Sequence, residues 1–235
     1  MRKILAIDIG GTNVKVLATG QEEVRKFPSG AELSAAQMVE GVLALTRDWE
    51  FDVVSIGYPG PVIADKPLIE PKNLAGGWVG FDFAARFGRP VKVINDAAMQ
   101  ALGSYEGGRM LFLGLGTGLG SALIIERVHE KGDGTCDFRG PVPFFVIAPM
   151  ELAHLPYKKG KTFEDYLGIR GLDRLGKKKW MKAVEDVVSR LKAALVADYV
   201  VLGGGNARRL ETLPPGARLG DNSHAFLGGF RLWDD

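Results

Sequence analysis

The stretch ILAIDIGGTNVKVLA, residues 4–18, sets a carboxylate, two glycines and a threonine into the turn of an otherwise apolar β-hairpin. A second stretch, LFLGLGTGLGSALII, residues 111–125, has nearly the same form. A shift of 106 positions lays Asp8-Ile9-Gly10-Gly11-Thr12 onto Gly114-Leu115-Gly116-Thr117-Gly118. Apolar strand, Gly/Thr turn, apolar strand, twice in one chain, reads as an internal duplication with one turn in each half. Glycine lets backbone N–H groups approach a ligand closely, and a concave run of N–H groups binds anions. Threonine adds a hydroxyl donor. Two such turns would grip a chain of phosphates from both sides. Only the first copy has a carboxylate, so Asp8 is the candidate to hold Mg2+, directly or through water, since that ion prefers oxygen ligands and keeps waters. Tight hairpins with glycines for turn geometry are the bland alternative, preferred for either copy taken alone. The matched pair, one with an acid, favours phosphate binding. Neither turn is a Walker A loop or a dinucleotide fingerprint.

The chain of 235 residues is long enough for one large domain or two small ones, with a sizeable core. Thirty basic residues against 28 acidic ones give no support to wholesale nucleic-acid binding. The cations are uneven: Lys158 to Lys182 is a basic stretch. A solvated helix face is the preferred reading of it, over a track for a polyanion such as polyphosphate. A single cysteine, Cys136, excludes an internal disulfide framework and a multi-cysteine zinc site. The apolar run at the N-terminus breaks at Asp8, which reads as a first strand and not a signal peptide. No apolar run approaches the ~20 residues that span a membrane. No membrane partner and a cytoplasmic location are the expectations.

Strands are expected over 3–8, 13–19 and 22–27, then a helix over 31–49 with Ala35, Met38, Val42, Leu45 and Trp49 on one face. FDVVSIGYPGPV is a strand ending in a Gly-Pro turn, and 63–80 a loop. A short helix at 81–87 leads to the strand PVKVIND and a helix from Ala97 to Tyr105. EGGR, residues 106–109, is the expected domain boundary, giving domains 1–106 and 107–235. Residues 127–162 are loop-rich. Residues 177–197 are an amphipathic helix with Trp180, Val184, Val187, Val188, Leu191 and Leu195 on one side. DYVVLGGGNARRL reads as strand, glycine turn, helix, and the apolar tail AFLGGFRLW packs back onto the fold. Alternating strands and helices define the α/β class.

Asp96 stands where a strand meets a helix. Strand ends of open α/β sheets line ligand clefts, and a helix N-terminus favours an ionised carboxylate. Beside a phosphate cradle such a group would take the proton of an alcohol attacking a γ-phosphate. An ordinary N-cap is the alternative, and the two are compatible.

DIGGT, GYPGPV, VIND, GLGTGLGSALI, ELAH and VLGGGN occur in an order that resembles the ROK sugar kinases of the actin-like ATPase superfamily. The likeness runs from residue 4 to about 207 and looks closest to the zinc-free branch of polyphosphate- or ATP-dependent glucokinases and glucomannokinases. The resemblance implies a two-domain, actin-like (ribonuclease H-like) α/β fold with a central cleft. It implies Asp96 as the base acting on the sugar 6-hydroxyl. Asp8, Gly10, Gly11 and Thr12 match the first phosphate motif, and Gly116, Thr117 and Gly118 the second. Gly203, Gly204, Gly205 and Asn206 match the glycine motif on the nucleotide side. Asn73, Asn95, Glu151, His154 and Glu164 match sugar contacts, Glu164 by a looser alignment. Implied partners are a hexose, with Mg2+ and either ATP or polyphosphate as donor, and a second copy in a homodimer.

Four departures stand out. The cysteine-rich zinc site of the larger family has no counterpart, so His154 is not expected to meet structural zinc. Ala153 replaces a usual glycine beside it. The sequence opens on the first strand, so the winged DNA-binding helices of repressor members are not expected, and the region after GGGN is short, which would trim an adenine pocket. The leading reading is phosphoryl transfer to a hexose. A non-catalytic sugar-sensing module and an actin-like ATPase acting on a protein or cofactor are the alternatives; Asp8 and Asp96 argue against the first, and ELAH with NLAGG against the second. The motifs do not rank glucose, mannose, fructose, glucosamine and N-acetylmannosamine.

Overall fold

The computed structural model describes residues 2–126 and 145–234, and the backbone of a short ribbon, His129–Glu130 with Cys136–Asp137. The side chain of Cys136 lies outside the described residues. Each glycine hairpin opens a five-stranded sheet. In the first sheet β1 (Ile4–Ile9) and β2 (Asn13–Ala18) are antiparallel, β3 (Arg25–Pro28) extends the meander, and β4 (Val53–Tyr58) and β5 (Val91–Asn95) add in parallel on the other side of β1. The second sheet repeats this with β6 (Arg109–Leu115), β7 (Leu119–Glu126), β8 (Phe145–Met150), β9 (Tyr199–Gly203) and β10 (Ala217–Leu219). The order β3-β2-β1-β4-β5 becomes β8-β7-β6-β9-β10, with the same strand directions. The duplication expected from two hairpins therefore extends through both sheets.

The repeat is not register-perfect. Ile9 pairs with Val14, leaving four residues, Gly10 to Asn13, in the first turn. Leu115 pairs with Leu119, leaving only Gly116 to Gly118 in the second. The two turns thus differ by one residue although their sequences align without a gap.

Contacts divide the chain into two compact units, Met1–Gly103 with Ser223–Asp234, and Ser104–Asn222. In the first, helices α1 (Ala35–Leu45) and α2 (Phe83–Phe87) cover one face of the sheet. A capping box starts α1: Ser34 Oγ accepts from Gln37 N, and Gln37 Oε1 accepts from Ser34 N. This cap places the helix start inside the expected 31–49. Ala35, Met38, Val39 and Val42 are buried against Leu5, Ile7, Ile9, Val54 and Ile56. β1 and β4 are apolar at nearly every position because both faces of these central strands are covered.

The opposite face carries α3 (Asp96–Ser104) and α7 (His224–Arg231). By contacts the tail groups with the first unit, beside the expected domains of 1–106 and 107–235. Three glycines make this possible. A Cβ on Gly103 would lie 1.8 Å from His224 O, one on Gly228 1.7 Å from Met99 O, and one on Gly229 2.7 Å from Ala6 Cβ. Beyond α7, Trp233 Nε1 donates to Ser55 Oγ (2.9 Å), and Lys92 Nζ both donates to Leu232 O (2.6 Å) and sits 4.5 Å from the Trp233 ring centroid.

In the second unit, α4 (Phe163–Leu167), α5 (Ile169–Leu175) and α6 (Lys177–Ala194) pack on the sheet. The expected face of α6 is the buried one: Trp180, Val184, Val187, Val188 and Leu191 meet Leu111, Leu113, Leu167 and Leu202. NARRL is not the expected α-helix. It forms a single 3₁₀ turn, Ala207–Arg209, before the chain runs through Pro214 and Pro215 into β10. Prolines lack the N–H that would continue a helix.

Candidate active site

In the first unit, β1 delivers Asp8 one residue before its end. The Asp8 side chain keeps 21% of its surface exposed and pairs with Lys15 on β2, Oδ2 to Nζ 3.6 Å. Asp8 and Lys15 are directly opposed in the strand register, which is why the hairpin brings them together. Burial pushes the Asp8 carboxyl above its ordinary range, and the Lys15 ammonium only partly offsets this. The turn itself is tied down by Gly10 N to Asn13 O (3.0 Å) and by Ser29 Oγ donating to Gly10 O (2.6 Å). Gly11 and Thr12 are exposed, and a Cβ on Gly11 would meet nothing within 4 Å.

An ion pair that leaves a desolvated carboxylate short of compensation makes a group that costs stability in its charged form. Asp8→Asn is therefore expected to raise the thermal midpoint at pH 7. The sign follows from linkage: with the folded pKa above the unfolded value of about 3.9, the penalty is full above the folded pKa and vanishes below the unfolded one. Unfolding scans of both proteins from pH 4 to pH 8 should show the gap closing towards pH 4. A variant less stable than wild type at pH 7 would contradict this balance.

β5 ends at Asn95, and α3 begins at Asp96. The cap belongs to Asn95, whose Oδ1 accepts from Ala98 N at 3.1 Å, while its Nδ2 donates to Gly60 O at 3.2 Å. This second bond ties GYPGP to VIND. Asp96 occupies the first helical position, partly buried, with Oδ1 accepting from Ala97 N at 2.8 Å. The alternative of Asp96 as N-cap is thus overturned, because its neighbour fills that place. Asn73 is exposed on the 69–79 loop.

In the second unit, two other predicted motifs converge on the shorter turn. Asn206, buried, donates from Nδ2 to Gly116 O (2.9 Å) and from its backbone to Leu115 O (2.9 Å). Gly204 has φ +80°, and a Cβ there would stand 2.5 Å from Leu115 O, so the glycine motif is a close backbone approach to the end of β6. Glu164, in the first turn of α4, accepts from Leu119 N at 3.4 Å, and a Cβ on Gly118 would be 2.5 Å from its Oε2. Its other oxygen pairs with Arg170 at 3.3 Å. Glu164 therefore braces the turn, a contact with no trace in local sequence. Ile169 N also donates to Gly116 O (3.1 Å).

Glu151 and His154 lie across a 3₁₀ helix, Leu152–His154, both exposed, with Oε2 to Nε2 3.7 Å. Ala153 is buried in that turn and is not among the residues with positive φ, so this backbone does not call for glycine. The basic stretch is divided among several elements and partly neutralised. Lys158 pairs with Asp186, Arg170 with Glu164 and Lys177 with Glu211, while Arg174 donates to Asp165 O. The surface basin of about 440 Å³ at the start of α6 mixes Lys177, Lys178 and Lys182 with Glu185 and Glu211. Among the described residues no group of three or more His, Cys, Asp or Glu side chains could hold a metal, and no helix is long and apolar enough to cross a membrane.

A model of the ROK family matches residues 4–136. The chain belongs to the ROK family. The N-acetylmannosamine kinases of Vibrio vulnificus strains CMCP6 and YJ016 are each 29% identical to this ROK chain over 170 residues, 63% of its length and 55% of theirs. The chain therefore spans little more than half the length of the curated relatives it matches. Among solved structures, the inorganic polyphosphate/ATP-glucomannokinase of Arthrobacter sp. strain KM matches with TM-score 0.74 and 23% identity, covering 97% of both chains. The ROK family glucokinase of Streptomyces griseus, in complex with glucose and AMPPNP, matches with TM-score 0.70 and 17% identity, covering 98% of both. At these identities the likeness establishes the fold. It is the actin-like α/β fold that the ROK motifs imply.

Proposed function

We propose that this ROK protein is a hexose kinase, transferring a phosphoryl group from ATP or polyphosphate to the 6-hydroxyl of glucose or a related hexose. The carrying observation is the place of Asp96: it is the first residue of α3, directly after the end of β5, with Asn95 as the helix cap. Asp96 takes the proton from O6 as that oxygen attacks the terminal phosphorus. The bond from phosphorus to the donor oxygen breaks, and ADP or a shortened polyphosphate leaves.

Gly10, Gly11 and Thr12, with Gly116, Thr117 and Gly118, offer backbone N–H groups and hydroxyls to the donor phosphates. Gly203 to Asn206 serve its nucleotide end. Asn73, Asn95, Glu151, His154 and Glu164 read sugar hydroxyls, since planar polar groups left unpaired penalise the wrong epimer. Asp8 fits a Mg2+ partner. It is a partly exposed, incompletely compensated carboxylate, and one carboxylate with phosphates and waters is this ion's usual set. Bound Mg2+ supplies neutralisation of the charge on the donor phosphates.

N-acetylmannosamine is the second candidate substrate, favoured by the 29% identity to kinases of that name. A coupled assay with Mg2+, either ATP or polyphosphate, and glucose, mannose, fructose or N-acetylmannosamine tests the reading. Hexose-dependent turnover with at least one pair is expected. Silence across the panel would overturn it in favour of a sugar-sensing module.

A further inference from the structure

The loop bearing Asn73 is closed by a carboxylate. Glu70 Oε2 accepts from Trp78 N at 3.0 Å and Oε1 from Val79 N at 3.2 Å. These N–H groups follow Gly77, whose φ of +90° turns them to one side. The stem is held independently. Tyr58 OH donates to Ile69 O (2.8 Å), and the buried Trp78 packs on Tyr58 and Phe83. The Trp78 indole donates to Ala75 O (2.7 Å), and Ala75 N to Leu33 O (3.2 Å). Asn73 projects from the middle of this closed loop and is exposed. The backbone donors also draw the Glu70 carboxyl below its ordinary range, as expected for an acceptor that is bound mainly when charged.

We propose that Glu70 is a positioning residue for hexose recognition: by clamping residues 70–79 it presents Asn73 to the sugar. This rests on the reading of Asn73 as a sugar contact. A loop ordered in advance binds without the entropic cost of ordering it on the ligand. Its loss should appear in sugar affinity, with the chemistry untouched, because Asp96 and both glycine turns lie on other segments.

The test is steady-state kinetics of Glu70→Ala, Glu70→Gln, Asn73→Ala and the double variant Glu70→Ala/Asn73→Ala. Glu70→Ala is expected to raise the hexose KM about tenfold, with kcat and donor KM within about twofold of wild type. Glu70→Gln, which keeps one acceptor, should fall between. Adding Glu70→Ala to Asn73→Ala should raise the hexose KM little further, since the presented group is already gone. Additive effects, or a Glu70→Ala variant with unchanged hexose KM, would overturn the proposal while an active wild type leaves the kinase reading standing. A wild type silent on every hexose would overturn both.

Discussion

Asp96→Asn is expected to lower kcat for hexose phosphorylation by about 10²–10⁴-fold, with the hexose KM within about threefold of wild type. Asparagine has nearly the shape of aspartate and still accepts a hydrogen bond, so the contact from Ala97 N survives. The helix cap belongs to Asn95 and is untouched, so α3 should start where it does now. What is lost is the ability to take up a proton while O6 attacks phosphorus. Steady-state kinetics beside circular dichroism separate the two contributions. Full activity in the variant would remove Asp96 from the chemistry, whereas a lost fold would show that its first-turn charge matters to the helix.

Gly228→Ala should be the most destabilising of the single-methyl additions, by about 1–3 kcal/mol, or a fall of roughly 2–10 °C in thermal midpoint. The new Cβ would sit 1.7 Å from Met99 O and 2.9 Å from Gly103 N, both backbone atoms of α3. Neither can yield as a flexible side chain would, so the two helices must separate. Gly228 is not among the positive-φ glycines, so the penalty is steric and not conformational. Leu227→Ala is the control: Leu227 lies on the same helix, 39% exposed, and its truncation should change stability by no more than about 0.5 kcal/mol. Equal midpoints for the two variants would mean that α7 is not held by backbone contact. Because α3 begins at Asp96, turnover should fall with the loss of this packing.

Much of the fold is legible locally because periodicity is a local property. The face of α6 follows from Trp180, Val184, Val187, Val188 and Leu191 at helical spacing, and burial follows the same residues. The paired hairpins follow from apolar strands around glycine, and the sheets extend that repeat. Asp96 was visible at a strand-to-helix junction with an N-cap as its alternative role, but the cap falls one residue earlier, on Asn95, a side chain that caps as well as aspartate. NARRL has helix-compatible residues, yet the prolines downstream and the parallel pairing of β10 with β9 leave it a single turn.

By itself, then, the sequence determined the α/β class, the duplicated glycine turns, the amphipathic helices and the residue types offered for chemistry. Each of these depends on neighbours within a few positions. Only the tertiary structure decided the one-residue difference between the turns, the brace of Glu164 on Gly118, the lock of Asn206 on Gly116, the clamp of Glu70 and the return of α7 to the first unit. These are backbone approaches and side-chain-to-backbone bonds between residues mostly distant in the chain. Their free energy appears only when the whole fold closes, and a glycine or a glutamate carries no local mark of the partner it will meet.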